Sequence, residues 1–315
     1  MNSPAENIEA RRNLVFEELP AQQLLLDLYR PVTDRQVPVV LYFHSGGWRS
    51  GNKDDCRVRW LTRYGFAVAS VSYRLLPRYG FPSQIEDAKA AVRFLRGNAE
   101  EFGLHPEQFV ASGLSSGAYL ACMLGLTAGH PILDQRFEPD IEKMAHPGLP
   151  NKRENYSEQS THVNAVINYS GLVDFIAIQT WASRRGTRAE RSPEARLLGH
   201  AVHEDRERAM LASPMHHLHA DAPPFMHIHG DRNEVTPLDQ TRKFHAALLE
   251  LGVTSKFTLV RGGGHNSRRM MDNPAIQDRV ADFLHRHLGT EGGIRAVYEE
   301  SHARTDDESP TNPIS

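Results

Sequence analysis

An α/β fold, with a mostly parallel central sheet and helices on both faces, is the fold class that this sequence of 315 residues predicts. Short apolar segments rich in Val, Phe and Tyr alternate along the chain with longer segments of helical period. Such alternation is typical of strands that pair in parallel and are connected by helices covering the sheet. The length also allows a sizeable buried core.

Seven short apolar segments are predicted to be strands, because each is rich in β-branched or aromatic residues and most are bounded by turn residues. In chain order they are residues 23–29, 37–43, 66–73, 108–113, 162–171, 223–230 and 255–262.

Helices are predicted between these strands from apolar residues that recur every three or four positions. The first begins after Pro82 and ends near Gly103, with Ile85, Ala88 and Val92 on one face. The others are residues 118–126, 238–252 and 274–289.

Two insertions interrupt the alternation, at about residues 127–161 and 175–212, and both are rich in polar residues. Insertions of this kind tend to lie over the carboxyl ends of the strands, so we expect a small cap on a single domain of residues 1–289. Residues 290–315 are rich in Gly, Ser, Pro and acidic residues, and we expect a mobile tail there.

Composition argues against several kinds of partner. The formal net charge is −3 at pH 7, which gives no electrostatic reason to expect nucleic acid or an anionic membrane. Cys56 and Cys122 stand far apart, so neither a disulfide framework nor a thiolate metal site is indicated. No segment resembles a secretory signal or a membrane span, which predicts a cytoplasmic protein, although a signal peptide removed earlier would leave the same sequence. A homodimer is left open.

The segment Gly113-Leu114-Ser115-Ser116-Gly117 carries the G-x-S-x-G pattern. The pattern alone is weak, but here a predicted strand leads directly into it and a predicted helix follows at once. A strand–turn–helix elbow of this kind holds a serine in a strained backbone and exposes its Oγ. Ser115 is therefore the candidate nucleophile.

A serine nucleophile needs a base and an oxyanion hole. His265 follows three glycines in the loop after the last predicted strand, where the carboxyl edge of the sheet would bring it towards the elbow. Gly46 and Gly47 follow another buried strand, and their N–H groups are expected to be free to face a cleft. With the backbone of Ser116 they form the predicted oxyanion hole.

At these residues the sequence resembles the α/β-hydrolase superfamily, in the esterase branch related to hormone-sensitive lipase and to feruloyl and acetylxylan esterase-like (BD-FAE-type) proteins. The likeness covers about residues 20–288. It rests on five segments in the family's order: FHSGGWRSG, SVSYRLLPRYGFPSQIEDAKAAVRFL, GLSSGAYLA, ASPMHHLHADAPPFMHIHGD and GGGHN. The resemblance implies an α/β-hydrolase fold, a Ser–His–acid triad and no cofactor.

The acid is where this chain departs from the family. The family's His-Gly-x-x-Asp-x-x-Val-Pro loop reads HGDRNEVTP here, so Asn233 occupies the position of the acid. An amide can accept a hydrogen bond from imidazole, but it cannot stabilise the imidazolium by charge. A true Ser–His–Asn arrangement is one reading; Glu234, Asp231 and Asp174 are the carboxylates that could substitute.

Trp48 is a candidate for lining the substrate pocket, with Trp181 and Phe175 as weaker ones. His227 and His229 share one face of a predicted strand, but no carboxylate or cysteine stands at matching spacing, so no metal site is predicted.

The sequence therefore predicts a serine hydrolase that cleaves small carboxylic esters through an acyl-enzyme. The alternatives are an amide or formamide hydrolase of the kynurenine formamidase kind, and a non-hydrolytic or binding protein on the same scaffold.

Overall fold

The computed structural model describes residues 8–134, 156–186, 188–265 and 268–290. In these ranges eight strands form one sheet in the order β1-β2-β4-β3-β5-β6-β7-β8. The strands are β1 (Ile8–Leu19), β2 (Gln22–Pro31), β3 (Val37–Phe43), β4 (Ala67–Val71), β5 (Leu104–Leu114), β6 (Ala165–Tyr169), β7 (Phe225–Gly230) and β8 (Ser255–Val260).

The helices of the described residues lie between and after these strands. They are α1 (Ser83–Gly97), α2 (Ser116–Leu126), α3 (Phe175–Arg184), α4 (Pro193–Leu198), α5 (Arg206–Leu211), α6 (Leu238–Glu250), α7 (Arg268–Met271) and α8 (Pro274–Leu288). Short 3₁₀ turns are present as well, among them Arg59–Tyr64 after β3.

The sheet is antiparallel only at its first edge. β1 pairs with β2 and β2 pairs with β4 in antiparallel fashion, whereas β4, β3, β5, β6, β7 and β8 run parallel. Because parallel strands end at the same edge, the segments that follow β3, β5, β7 and β8 meet there. This edge carries all the residues of the candidate site described below.

Strand β3 illustrates why the centre of the sheet is continuously apolar. All its residues are buried, and alternate side chains belong to the two different cores on the two faces of the sheet. Val39, Leu41 and Phe43 pack in the core that contains α1 and α2. Val40 and Tyr42 pack in the second core, with α8 and the 3₁₀ turn. A strand covered on both faces needs apolar residues at every position.

The predicted α/β fold is confirmed, and each of the seven predicted strands corresponds to an observed one. Strand β1 was not predicted. It lies at the edge of the sheet, and its first half is charged and largely exposed, so it lacks the apolar run of the central strands.

The expected end of α1 near Gly103 is wrong, since the helix stops at Gly97. The side chain of Asn98 donates to the carbonyl of Phe94 (2.7 Å), and the ring of Tyr156 fills the space next to Gly97. Turns then lead to β5, where the Leu104 N–H bonds to the Ala99 carbonyl (2.8 Å).

The second predicted insertion, residues 175–212, contains α3, α4 and α5. Most of the first one, residues 135–155, and the tail after residue 290 lie outside the described residues. The division into one domain with cap-like insertions therefore stays a prediction. No helix of the described ranges is long and apolar enough to cross a membrane.

Candidate active site

Ser115 stands at the junction of β5 and α2 with φ +58° and ψ −118°. Its N–H donates to the Tyr169 carbonyl at 2.9 Å. The two glycines of the motif are needed for space: a Cβ at Gly113 would clash with the backbone of Gly117, and one at Gly117 with the backbone of Phe43. The strand and the helix thus approach too closely for side chains, and the strained turn leaves Ser115 at 8% exposure.

His265 lies in the loop between β8 and α7 and reaches the serine. Its Nε2 is 2.7 Å from Ser115 Oγ, and its Nδ1 is 3.1 Å from Asn233 Oδ1. Burial, and to a lesser extent the nearby His229, lower the pKa of His265 to about 4. The ring is therefore neutral at pH 7, as a general base must be.

Asn233 presents its oxygen, and not its nitrogen, to the histidine. Oδ1 also accepts from the backbone N–H groups of Val235 and Thr236, both at 3.0 Å, and only an oxygen can accept these bonds. His265 Nδ1 must then carry the proton, which leaves Nε2 free to accept the hydroxyl proton of Ser115. The amide at position 233 accordingly holds the tautomer that general-base catalysis requires.

The three alternative carboxylates are not brought to the histidine. Asp231 accepts from the Gly262 N–H at 2.7 Å, and Asp174 caps α3 by accepting from the Ala177 N–H at 3.0 Å. Glu234 is exposed, and no hydrogen bond or ion pair of the described residues joins it to the ring. Asn233 is thus the triad-position residue in contact with His265.

The predicted oxyanion hole differs from expectation in one donor. Gly46 and Gly47 both have positive φ, at 132° and 60°, and they turn the loop after β3 towards the elbow. The expectation that the Gly47 N–H is free is wrong, because it donates to the Ser116 hydroxyl at 3.1 Å. The side chain of Ser116 supplies the acceptor of this bond.

The hydroxyl of Tyr73 also lies close to the side chain of Ser116. Tyr73 OH donates to the His44 carbonyl at 2.9 Å and lies 3.4 Å from Ser116 Oγ. Tyr73 is buried, and its ring stacks on that of His44 with centroids 4.2 Å apart. Tyr73 is not among the site residues that the sequence predicts, although it lies in the segment SVSYRLLPRYGFPSQIEDAKAAVRFL on which part of the resemblance rests.

A cavity of about 390 Å³ opens at Ser115 and His265. Trp48 lines this cavity. The ring centroid of Phe175 lies 6.0 Å from that of Trp48 and 5.3 Å from that of Tyr119. The second insertion contributes much of the wall: Ile178, Trp181, Ala182, Ser192, Pro193 and Glu194.

His227 and His229 are both buried on β7 and make side-chain hydrogen bonds. His229 bonds to Thr241 Oγ1 (2.8 Å) and to the Thr236 carbonyl (3.0 Å), and His227 bonds to Asn168 (3.1 Å). Burial lowers the pKa of His229 to about 4 and the pKa of His227 to about 3. Within the described ranges no three His, Cys, Asp or Glu side chains cluster as a metal site would require.

The sheet order, the elbow and the loops at its carboxyl edge define an α/β-hydrolase fold. Solved structures agree. The "Truncated form of carbohydrate esterase from gut microbiota" superposes with a TM-score of 0.75 and 25% identity, covering 91% of this chain and 100% of that one. A "Bifunctional GH43-CE" of Bacteroides eggerthii gives a TM-score of 0.73 and 28% identity, covering 88% of this chain and 38% of that one.

The chain belongs to the BD-FAE family, whose sequence model matches residues 26–248. Among curated proteins it is 27% identical to Esterase LipQ and 28% identical to Esterase LipC, both of Mycobacterium tuberculosis. These matches cover 87% and 74% of this chain. The chain spans 62% of the length of LipQ and 54% of the length of LipC.

Proposed function

We propose that this chain hydrolyses carboxylic esters of small molecules through an acyl-enzyme formed on Ser115. The observation that carries the proposal is the hydrogen-bonded series Ser115 Oγ, His265, Asn233, with distances of 2.7 and 3.1 Å. A hydroxyl, a neutral imidazole and an acceptor that orients the imidazole are the parts that nucleophilic acyl transfer needs.

In the first half-reaction Ser115 Oγ attacks the ester carbonyl carbon as its proton moves to His265 Nε2. The tetrahedral intermediate collapses, the imidazolium gives that proton to the leaving alkoxide, and the alcohol departs. In the second half-reaction His265 takes a proton from water, the resulting hydroxide attacks the acyl-enzyme, and the proton returns to Ser115. The products are one alcohol and one carboxylic acid.

The oxyanion is held by backbone N–H groups of Gly46, Gly47 and Ser116. The N-terminus of α2, directly below the serine, also favours negative charge at this point. The Gly47 N–H must exchange its bond to the Ser116 hydroxyl for one to the oxyanion. The hydroxyl of Ser116 therefore competes with the transition state for one donor.

Asn233 orients His265, but it carries no negative charge that could stabilise the imidazolium formed when His265 accepts a proton. In a serine protease, replacing the aspartate of the triad by asparagine lowers turnover about 10⁴-fold, largely because the wrong tautomer results. Here the two backbone donors on Oδ1 impose the right tautomer, so only the charge is missing. We expect a competent but slower hydrolase than one with aspartate.

The relatives support ester hydrolysis over the amide or formamide alternative, since LipQ and LipC are named esterases. The experiment compares short-chain nitrophenyl esters with N-formylkynurenine as substrates of the wild type, Ser115→Ala and His265→Ala. We expect ester hydrolysis by the wild type and a loss of at least about 10³-fold in both variants. Equal hydrolysis by Ser115→Ala, or turnover of the formamide alone, would contradict the proposal.

A further inference from the structure

Glu194 is a buried carboxylate in the wall of the active-site cavity. It is the second residue of α4, its exposure is 2%, and it lines the same cavity as Ser115 and His265. The mechanism above does not use it. An ionisable group at such a position needs a physical reason, because burying a charge without a partner is unfavourable.

No cation of the described residues is paired with this carboxylate. Among the described residues no lysine, arginine or histidine forms an ion pair with Glu194, and no charged group perturbs its titration. Arg185, at the end of the neighbouring helix α3, lies over the Trp181 ring instead, 4.9 Å from its centroid. Among the described residues, an ionised Glu194 in the wall of this cavity therefore has no cationic partner.

Two neutral donors near Glu194 favour its ionised form, while burial opposes it. Burial raises the pKa of Glu194, while its own N–H and the Ser192 hydroxyl lower it. Ser192 Oγ accepts from the Ala195 N–H at 3.0 Å, so its proton is available to donate to Glu194. An acid in the first turn of a helix is also stabilised by the helix dipole. These neutral donors favour the carboxylate but supply no positive charge.

The remaining wall beside Glu194 is largely apolar. Ile178 and Trp181 of α3, together with Leu172 and Val235, line the cavity, whose volume is about 390 Å³. A cation entering this space would keep its alkyl groups against apolar side chains and its charge near the carboxylate. Coulomb attraction is stronger in such a partly dry cavity than in water, and exceeds what a neutral hydroxyl gains there.

We propose that Glu194 is a specificity-determining residue that selects esters carrying an ammonium group in the part of the substrate that occupies this cavity. That the substrate is an ester rests on the proposed esterase function. The cation site itself rests only on the carboxylate and the cavity. The two can therefore fail separately.

Acetylcholine and 3,3-dimethylbutyl acetate form a matched pair, because they have the same shape and differ in the charge of one atom. We expect wild-type kcat/KM to favour acetylcholine by about 10-fold or more, which corresponds to about 1.4 kcal/mol. In Glu194→Gln, which keeps the shape and removes the charge, the ratio should fall to within threefold of one. Glu190→Gln is the control: it removes an exposed acid of the same segment that does not line this cavity.

Binding of choline and of 3,3-dimethylbutan-1-ol, measured by calorimetry, separates this proposal from the esterase proposal. Tighter binding of choline to the wild type and Glu190→Gln, lost in Glu194→Gln, supports the cation site even if neither ester is hydrolysed. Equal binding of the two alcohols to the wild type overturns it, whether or not Glu194→Gln folds.

A third outcome concerns neutral hydroxyl groups. If Glu194→Gln loses a preference for 2-hydroxyethyl acetate over propyl acetate while choline is not favoured, Glu194 recognises hydroxyl groups, and the cation proposal is wrong. An unchanged acetylcholine ratio in a folded Glu194→Gln, as judged by thermal unfolding, also contradicts it.

Discussion

The amide of Asn233 contacts His265 where the proposed triad would have a carboxylate, and it carries no charge. Its oxygen is fixed by two backbone donors and by His265, while its buried Nδ2 has no hydrogen-bond partner among the described residues. A carboxylate at this position would keep all three bonds to the oxygen and remove the unpaired donor. The surroundings are thus already arranged for an acid.

Asn233→Asp is expected to raise kcat/KM for a nitrophenyl ester by about 10²-fold, because a carboxylate stabilises the imidazolium that forms in the transition state. Asn273→Asp provides a matched control: Asn273 caps α8 by accepting from the Ala275 N–H at 3.0 Å and is not part of the site. Steady-state kinetics of the wild type and both variants test the expectation. An unchanged rate in Asn233→Asp would mean that the missing charge does not limit catalysis.

In the proposed mechanism the buried His265 also sets the pH dependence of kcat/KM. The base acts only when neutral, and burial lowers the pKa of His265 to about 4, so the neutral form persists from neutral pH down to about pH 5. We expect kcat/KM to stay level over this range and to fall about tenfold per pH unit below pH 4. A circular dichroism spectrum at pH 4 that matches the one at pH 7 excludes unfolding as the cause.

In Asn233→Asp the carboxylate favours the charged imidazole and raises the pKa of His265 by about 1–3 units. The acidic fall of kcat/KM should therefore move upwards to between about pH 5 and pH 7. An acidic limb near pH 6.5 in the wild type, or one that does not move in the variant, would show that burial does not control the base.

Some contacts of single residues can be predicted from the sequence and others cannot. The contacts among Ser115, His265 and Asn233 follow from motifs at the ends of parallel strands. The bond from the Gly47 N–H to the Ser116 hydroxyl could not be predicted, because it depends on a side-chain rotamer inside the elbow. The contact of Tyr73 with the same hydroxyl is hidden for the same reason.

At the scale of elements, the elbow depends on the close approach of β5, α2 and β3. A Cβ at Gly117 would clash with backbone atoms of Phe43 and His44, which cannot move without shifting the central strand. Gly117→Ala is therefore expected to lower the free energy of unfolding by about 3 kcal/mol or more. Urea unfolding measures this quantity.

Gly264→Ala is the control for stability in that experiment, since nothing lies within 4 Å of the added Cβ and Gly264 does not have positive φ. Its unfolding free energy should stay within about 0.5 kcal/mol of the wild type. Equal effects of the two substitutions would mean that the approach of the strand and the helix is not the constraint on the motif.

Elements that are buried on both faces can be predicted from the sequence more easily than elements that are exposed. Central strands such as β3 are apolar at every position and were predicted correctly. Strand β1 escaped prediction because one half of it is exposed at the edge of the sheet. Helix α1 ends where the ring of Tyr156 packs against Gly97, and a local sequence pattern does not show this contact between residues far apart in the chain.

At the scale of the whole molecule, a buried ion pair ties the segment after β4 to α1. Arg74 Nε donates to Asp87 Oδ1 at 2.7 Å, and both side chains are 2% exposed. The Arg74 N–H also donates to Asp87 Oδ2 at 2.7 Å, one residue after Tyr73. The ion pair therefore holds the segment that contains Tyr73, whose hydroxyl donates to the His44 carbonyl just before Gly46 and Gly47.

Asp87→Asn leaves the buried Arg74 with less compensation, and we expect it to cost about 3 kcal/mol of unfolding free energy. The pair Glu9 and Arg11, whose side chains are 46% and 37% exposed, is the comparison. Glu9→Gln should cost less than about 1 kcal/mol. Similar losses in both variants by urea unfolding would contradict a structural role for the buried pair.

The site as a whole is assembled by topology, because residues more than 200 positions apart in sequence follow strands that end at one edge. Labelling with a fluorophosphonate tests this assembly most directly, since Ser115 Oγ must displace fluoride with the help of His265. We predict one adduct per chain on Ser115 at neutral pH, absent in Ser115→Ala and much slower in His265→Ala. An unlabelled wild type, or equal labelling of Ser115→Ala, would contradict the account.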